Sequence, residues 1–196
     1  MKYIDKLVSF SDEERSTRYK VISLVIGAIL FLVVFAWLVL WISRWLVNIF
    51  NALFVEPLPI IGALIALIGL AVVGWTVLTM WLQAEGTPAP NAPTRKLVTS
   101  GPFQYCRNPM QLGVMLYFLG LGAALFSLIT GLVATLVALV AGSAYHHYVE
   151  EKELVSRFGE EYEEYRRTTP FLIPHIRKGG HEEPQVSDAG DNTGNE

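Results

Sequence analysis

The sequence predicts an all-α, polytopic membrane protein, and three observations carry that expectation. Hydrophobic residues make up 52% of the 196 residues and charged residues only 17%. Mean hydropathy is +0.39. The charges are also segregated: no Asp, Glu, Lys or Arg occurs from Val21 to Ser43, from Leu58 to Gln83, or from Pro109 to Val149. A helix rising 1.5 Å per residue needs roughly 20 apolar residues to cross about 30 Å of hydrocarbon. The first two runs each hold one span. The third is about twice that length and breaks at Ser127 to Gly131, so it predicts two spans joined by a tight turn. The result is four spans, near 21–43, 58–82, 109–126 and 129–149, in one domain over residues 1–178.

Each element has a local reason. Ser11 and Glu14 have the spacing of a capping box in the polar lead-in. The first apolar run is too long for a signal-peptide core and no small-residue cleavage site closes it. Residues 44–57 are apolar, with Trp45, Phe50 and Phe54, so they extend the first span or lie in the outer interface. Residues 84–98 are Pro-rich and form a loop. Gly101-Pro102 marks a turn. Asn108 is a helix cap, and Pro109 suits the first helical position, where its missing N–H costs nothing. Beyond the fourth span, Leu154, Phe158 and Tyr162 step by four. The helix therefore continues, breaks near Gly159, and resumes as a short amphipathic helix ending before Pro170. Residues 179–196 hold five acidic residues and no Lys or Arg, which predicts a disordered tail.

Loop charges predict orientation. Lys2, Lys6, Arg15, Arg18 and Lys20 precede the first span. Arg95, Lys96 and Arg107 lie in the 83–108 loop. Lys152, Arg157, Arg166, Arg167, Arg177 and Lys178 follow the fourth span. The 44–57 segment has only Arg44, and the 127–131 turn has no basic residue. With four spans all the basic-rich segments share one side. The positive-inside rule then makes that loop and both termini cytoplasmic.

Two clusters carry the chemistry. The start of the third span points free N–H groups and a positive dipole end at the membrane interface, beside Arg107. That end suits a carboxylate or phosphate, or it is simply a capped helix with a basic anchor. At the far end of the fourth span, His146 and Glu150 share one helix face and His147 and Glu151 the next. The tight turn makes the two spans antiparallel neighbours, so the clusters can meet. Arg107 and an acidic residue together suit a zwitterion such as an amino-acid moiety. Tyr145, Tyr148, Tyr162 and Tyr165 offer π-faces to a cation. A metal is not expected, because the single Cys106 and the His/Glu pairs lack a full ligand set. Cys106 reads as a small apolar filler.

The ordered set Gly101-Pro102-Phe103, Arg107-Asn108-Pro109, Gly113, Glu150-Glu151, Leu154, Phe158-Gly159, Tyr162, Tyr165 and Pro170 to Pro174 resembles one known group. It is that of the integral-membrane isoprenylcysteine carboxyl methyltransferases and phospholipid methyltransferases. The likeness covers residues 95–175. It implies S-adenosylmethionine bound at the cytoplasmic face by Arg107, Asn108, Pro109, Gly113, Glu150, Glu151, Tyr162 and Tyr165, with Glu150 the foremost acidic contact. It also implies a lipophilic or lipid methyl acceptor, and no nucleic-acid partner. Gly120-Leu121-Gly122 resembles a cofactor-associated Gly-x-Gly, but small residues in membrane helices serve close packing. The isoprenylcysteine branch usually carries His and Tyr where this chain has Asn108 and Gln111, which bears on the acceptor more than on the cofactor. Methyl transfer from a sulfonium needs alignment and desolvation. An amine or hydroxyl acceptor must also lose a proton, for which His146 or His147 is the candidate base. Two competing readings are a membrane reductase using NADPH and a non-enzymatic scaffold. The acceptor and the oligomeric state stay open.

Overall fold

The computed structural model describes residues 16–49, 56–84, 86–88 and 94–175. The Ser11–Glu14 box, residues 50–55 and the 179–196 tail lie outside the described residues. Among those described the architecture is all-helical, without a strand.

Helix α1 spans Thr17–Ile49. Ser16 caps it by accepting from the Tyr19 N–H at 3.3 Å. It runs past the expected end, so residues 44–49 extend the first span. Within it Leu30–Phe35 widen into a π-helical segment. There the Tyr117 hydroxyl donates to the Leu32 carbonyl at 2.9 Å, a side chain entering the ladder where it opens. Helix α2 is Pro59–Ala84. A 3₁₀ turn, Gly101–Gln104, leads to α3, Pro109–Leu125, capped as expected by Asn108. Ser127 then caps α4, Leu128–Tyr145. A π-helical segment at His146–Glu150 joins α4 to α5, Glu151–Thr168.

Three rods are long and apolar enough to cross a membrane: α1, α2 and the continuous Leu128–Thr168 helix. Helix α3 is the fourth apolar helix. At 17 residues it is shorter, roughly 26 Å, because its Asn108 cap and the Phe126-Ser127 turn close it at both ends. It sits centrally, against α2 on one side and α4 on the other, while α1 packs on α4.

Small residues set the α2–α3 distance. A Cβ added at Gly62 would lie 2.7 Å from the Gly120 carbonyl oxygen, and one at Gly69 would lie 2.6 Å from that of Gly113. Lipid tails are as apolar as leucine, so such close backbone packing, rather than hydrophobic burial, holds membrane helices together. Gly122 likewise meets Gly131 across the α3–α4 turn, so Gly120-Leu121-Gly122 serves packing. Phe118 is fully buried among Ala36, Val39, Leu40, Val114, Ala134 and Ala138. Trp37, Ile60, Leu67, Leu136 and Val140 face outward, as expected of a lipid-facing surface.

The helix directions order the two ends. The Leu58 N–H bonds the Ala123 carbonyl at 2.8 Å, and the Arg95 N–H bonds the Ala84 carbonyl at 2.9 Å. Arg44 of α1 lies over the Phe126 ring, 4.8 Å from its centroid. The start of α1, the end of α2, the start of α3 and the end of α4 therefore share one end. Among the described residues, the flanking Arg18, Lys20, Arg95, Lys96 and Arg107 lie toward that end, and Arg44 stands at the other.

Candidate functional site

The site forms where residues 101–108, the π segment, α5 and the irregular strap 169–175 meet. Asn108 is the hinge of the local structure. Its side-chain oxygen accepts from the Gln111 N–H at 3.1 Å, and its amide donates to Gln111 Oε1 at 2.9 Å. Gln111 in turn donates to the Leu139 carbonyl and to Ser143 Oγ on α4, both at 3.3 Å. A Cβ at Gly142 would collide with this amide. The start of α3 is thus tied to the end of α4 by a polar network whose members are mutually satisfied.

Arg107 is the organising side chain. Its Nη1 donates to Glu151 Oε1 at 2.8 Å and to the Tyr162 hydroxyl at 3.3 Å, and its Nε donates to the Thr169 carbonyl at 3.1 Å. The backbone N–H groups of Arg107 and Asn108 bond the carbonyls of Pro170 and Phe171, at 2.8 and 3.0 Å, and that of His175 bonds the Tyr105 carbonyl at 2.9 Å. The strap is therefore tied along residues 105–108 by three backbone bonds. Tyr165 donates to the Phe103 carbonyl at 2.7 Å. Gly159 turns α5 with φ 51° and ψ −125°, a left-handed conformation that favours glycine. Tyr162 and Tyr165 are buried just past that turn.

The acidic pair divides its work. Glu151, 15% exposed, takes Arg107, with Arg166 3.9 Å away. Glu150, 42% exposed, takes His146 instead, with Oε2 2.9 Å from Nδ1. Burial pushes the Glu151 carboxyl up, but the hydrogen bond and charge of Arg107, with the charge of Arg166, outweigh it and hold the group below its ordinary value. Burial raises the phenols of Tyr162 and Tyr165 and the Cys106 thiol. These groups remain neutral, and buried Cys106 fits the filler reading.

His146 is nearly enclosed, at 4% exposure, and its Nε2 lies 3.7 Å from Glu151 Oε1. That distance is too long for a hydrogen bond, and Nε2 has no hydrogen-bond partner among the described residues. The Phe171 ring covers the imidazole at 4.7 Å between centroids. The π segment makes this convergence possible. Residues i and i+5 stand about 140° apart around an α-helix. In the π turn the Glu151 N–H bonds the His146 carbonyl, and the two side chains come to one side of the helix, 3.7 Å apart.

The other expected residues lie elsewhere. His147 is 71% exposed, its Nδ1 3.6 Å from Glu151 Oε2. Tyr145 and Tyr148 are exposed. Gly113 faces α2, where an added Cβ would meet Gly69 and Val73. Pro109 is the buried first residue of α3. No group of three or more metal-ligating side chains occurs among the described residues. Phe171 was not singled out in sequence, although its place between Pro170 and Pro174 marks a rigid strap. Buried Glu153 was also missed. It pairs with Arg157 at 2.7 Å, and that arginine reaches the Thr94 carbonyl and pins the loop before α3.

Fold and site define a multi-pass helical membrane protein with a charged, strap-covered side-chain cluster at one end of its bundle. The profile of the phospholipid methyltransferase family matches residues 58–161, and the chain belongs to that family. Among curated relatives it is 32% identical over 157 residues to a methanethiol S-methyltransferase of Crocosphaera subtropica, covering 79% of this chain and 50% of that one. It is 33% identical to the cobalt-zinc-cadmium resistance protein CzcN of Cupriavidus metallidurans, over 73% of this chain and 59% of that one. It is 35% identical over 86 residues to the mouse protein-S-isoprenylcysteine O-methyltransferase, over 43% of this chain and 29% of that one. The chain spans between about a third and three-fifths of these relatives' own lengths. No solved structure matches.

Proposed function

We propose that the protein is an S-adenosylmethionine-dependent methyltransferase acting on a lipophilic acceptor at the cytoplasmic membrane face. One observation carries this reading: Arg107, Glu151, Tyr162 and His146, drawn from three segments, converge in one largely buried cluster of a chain from a methyltransferase family. The relatives named for methanethiol and isoprenylcysteine methylation support the chemistry. The clustering of basic segments at the pocket's end supports the cytoplasmic assignment.

The residues present fit the cofactor. Arg107 and Glu151 are complementary charges at 2.8 Å, and they would hold the carboxylate and ammonium of an amino-acid moiety. Tyr162 and Phe171 flank Arg107, and their faces would stabilise a sulfonium. When bound, S-adenosylmethionine supplies an activated methyl group. Asn108 and Pro109 fix the start of α3, and Tyr165 locks the 101–108 loop to α5. Gly113 serves on this reading by letting α3 approach α2. Closure of the strap excludes water from the pocket. Of the two histidines, His146 is enclosed and is the proton acceptor, whereas His147 stays in solvent.

Calorimetry with the detergent-purified protein tests the reading. Wild type should bind S-adenosylmethionine, and Glu151→Ala and Arg107→Ala should lose binding at least 30-fold. Binding of NADPH in place of S-adenosylmethionine by folded wild type would move the assignment to a reductase. Binding of neither would leave a scaffold.

A further inference from the structure

We propose that Glu150 is a positioning residue for His146, and that the methyl acceptor is a protic nucleophile (a thiol, amine or hydroxyl) rather than a carboxylate. This rests on the methyltransferase reading above.

The argument starts from the imidazole. A carboxylate only accepts hydrogen bonds, so Glu150 at 2.9 Å places the ring hydrogen on Nδ1. Nε2 is then left as the basic nitrogen. That atom is buried and makes no hydrogen bond among the described residues. Buried polar atoms are satisfied as a rule, and an exception calls for a missing partner. The missing partner must be a donor, because Nε2 offers a lone pair. Glu151 Oε1, 3.7 Å away, is a second acceptor beside it. A donor heavy atom set off the line between them reaches both at hydrogen-bond distance. A carboxylate there would meet an anion and a lone pair together.

The charged groups around the ring are Glu150 on its own segment, Glu151 across the π turn, and Arg107 and Arg166 behind Glu151. The strap contributes the uncharged Phe171. In the transfer the acceptor's lone pair forms the new bond to the methyl carbon. The methyl–sulfur bond of the sulfonium donor breaks, and its electron pair stays on sulfur. The acceptor's proton goes to Nε2, while the other hydrogen stays on Nδ1, held by its bond to Glu150. Charge balances, since one sulfonium is lost and one imidazolium formed. A carboxylate acceptor has no proton to give and would leave the pair idle.

Nitrogen NMR of ring-labelled histidine tests this in detergent micelles, with the His146 signals assigned by their loss in His146→Gln. Wild type should show the Nδ1–H tautomer, and dodecanethiol, unlike dodecane, should move the Nε2 resonance. Glu150→Ala should lose the single tautomer while its affinity for S-adenosylmethionine stays within threefold. An Nε2–H tautomer in wild type, or an Nε2 resonance indifferent to dodecanethiol, overturns the proposal. A tenfold loss of cofactor affinity in Glu150→Ala also overturns it, by making Glu150 a cofactor ligand. Wild type that binds no S-adenosylmethionine but shows the expected nitrogen signals would sink the cofactor reading and leave His146 as a proton acceptor for other chemistry.

Discussion

Replacing Arg107 with alanine is expected to loosen the 169–175 strap while the helical bundle stays intact. The magnitude follows from the bonds lost. The guanidinium makes one charge-assisted bond to Glu151 and two to neutral oxygens, those of Tyr162 and Thr169. Such bonds contribute about 1.5–3 and 0.5–1.5 kcal/mol each. The longer Tyr162 contact belongs at the low end. Glu151 keeps Arg166 at 3.9 Å, which offsets part of the penalty of stranding a buried carboxylate. The net is about 3 kcal/mol, or roughly a hundredfold in the opening equilibrium. The backbone bonds from residues 107, 108 and 175 remain, so the strap loosens rather than detaches. Hydrogen exchange measures this directly. The amides of Arg107, Asn108 and His175 should lose about two orders of magnitude of protection, while those in the middle of α2 and α3 hold theirs. Arg107→Lys, which keeps the charge but loses the fork, should fall between. Strap protection within threefold of wild type in Arg107→Ala would refute the claim that this side chain holds the strap.

Three further outcomes are expected. The α2–α3 contact predicts a contrast among glycines: Gly120→Ala overpacks backbone against Gly62 and Ala66 and should cost about 2–3 kcal/mol, lowering the melting midpoint by roughly 4–10 °C. Gly74→Ala, with open space around it, should leave the midpoint unchanged or raise it in the same thermal scan. Glu151 gives the pH dependence. Its carboxyl lies lower in the folded protein than in the unfolded chain, so its contribution is complete above the ordinary carboxylate range, near pH 4.3, and is lost as pH falls through the lowered value. Strap protection, corrected for intrinsic exchange, should therefore hold at pH 5 and collapse only well below pH 4. Glu151→Gln should remove that acid transition. Gln111→Leu strands the Asn108 amide in a low-dielectric site. It should cost about 1–3 kcal/mol, read as a lower thermal midpoint, with Gln111→Asn no better because the shorter amide cannot reach α4.

Helix positions were legible because membrane burial forces charge out of the spans, and caps and breakers act locally. Asn108-Pro109, Ser127 and Gly159 each act within one turn of themselves, and the structure puts a cap, a cap and a left-handed turn at those positions. The length of α1 was less legible, since the apolar 44–57 segment supports either a longer helix or an interfacial loop. The convergence of Arg107 with the acidic pair followed from antiparallel neighbours across a tight turn. Which acid meets which partner did not, because the assignment depends on helical phase. A 3.6-residue period puts His147 and Glu151 together and leaves His146 with Glu150 alone. The π turn shifts that phase, and no residue in His146–Glu150 announces it. The strap pairing is also invisible in sequence, since its bonds join residues more than 60 positions apart and no periodicity encodes them.

The two acidic side chains show how much one extra residue per turn can change. In an unbroken α-helix Glu150 and Glu151 would present one anionic corner to Arg107, and the imidazole would face a single carboxylate. With the π turn Glu151 swings under Arg107, while Glu150 remains on the solvent side of His146. The corner is divided into a neutralised ion pair and a histidine–carboxylate pair, with the open nitrogen between them. A charge-balanced wall and a basic atom in one pocket are the two things a methyl transfer to a protic acceptor needs. Deleting one residue between His147 and Glu150 would restore a regular helix and leave Glu151 four positions after His146, on the same face, with Glu150 three positions after it. The strap should then keep its protection and the His146 nitrogen its response to dodecanethiol. Loss of either would mean that the wider π turn itself, and not only the phase it sets, holds the arrangement.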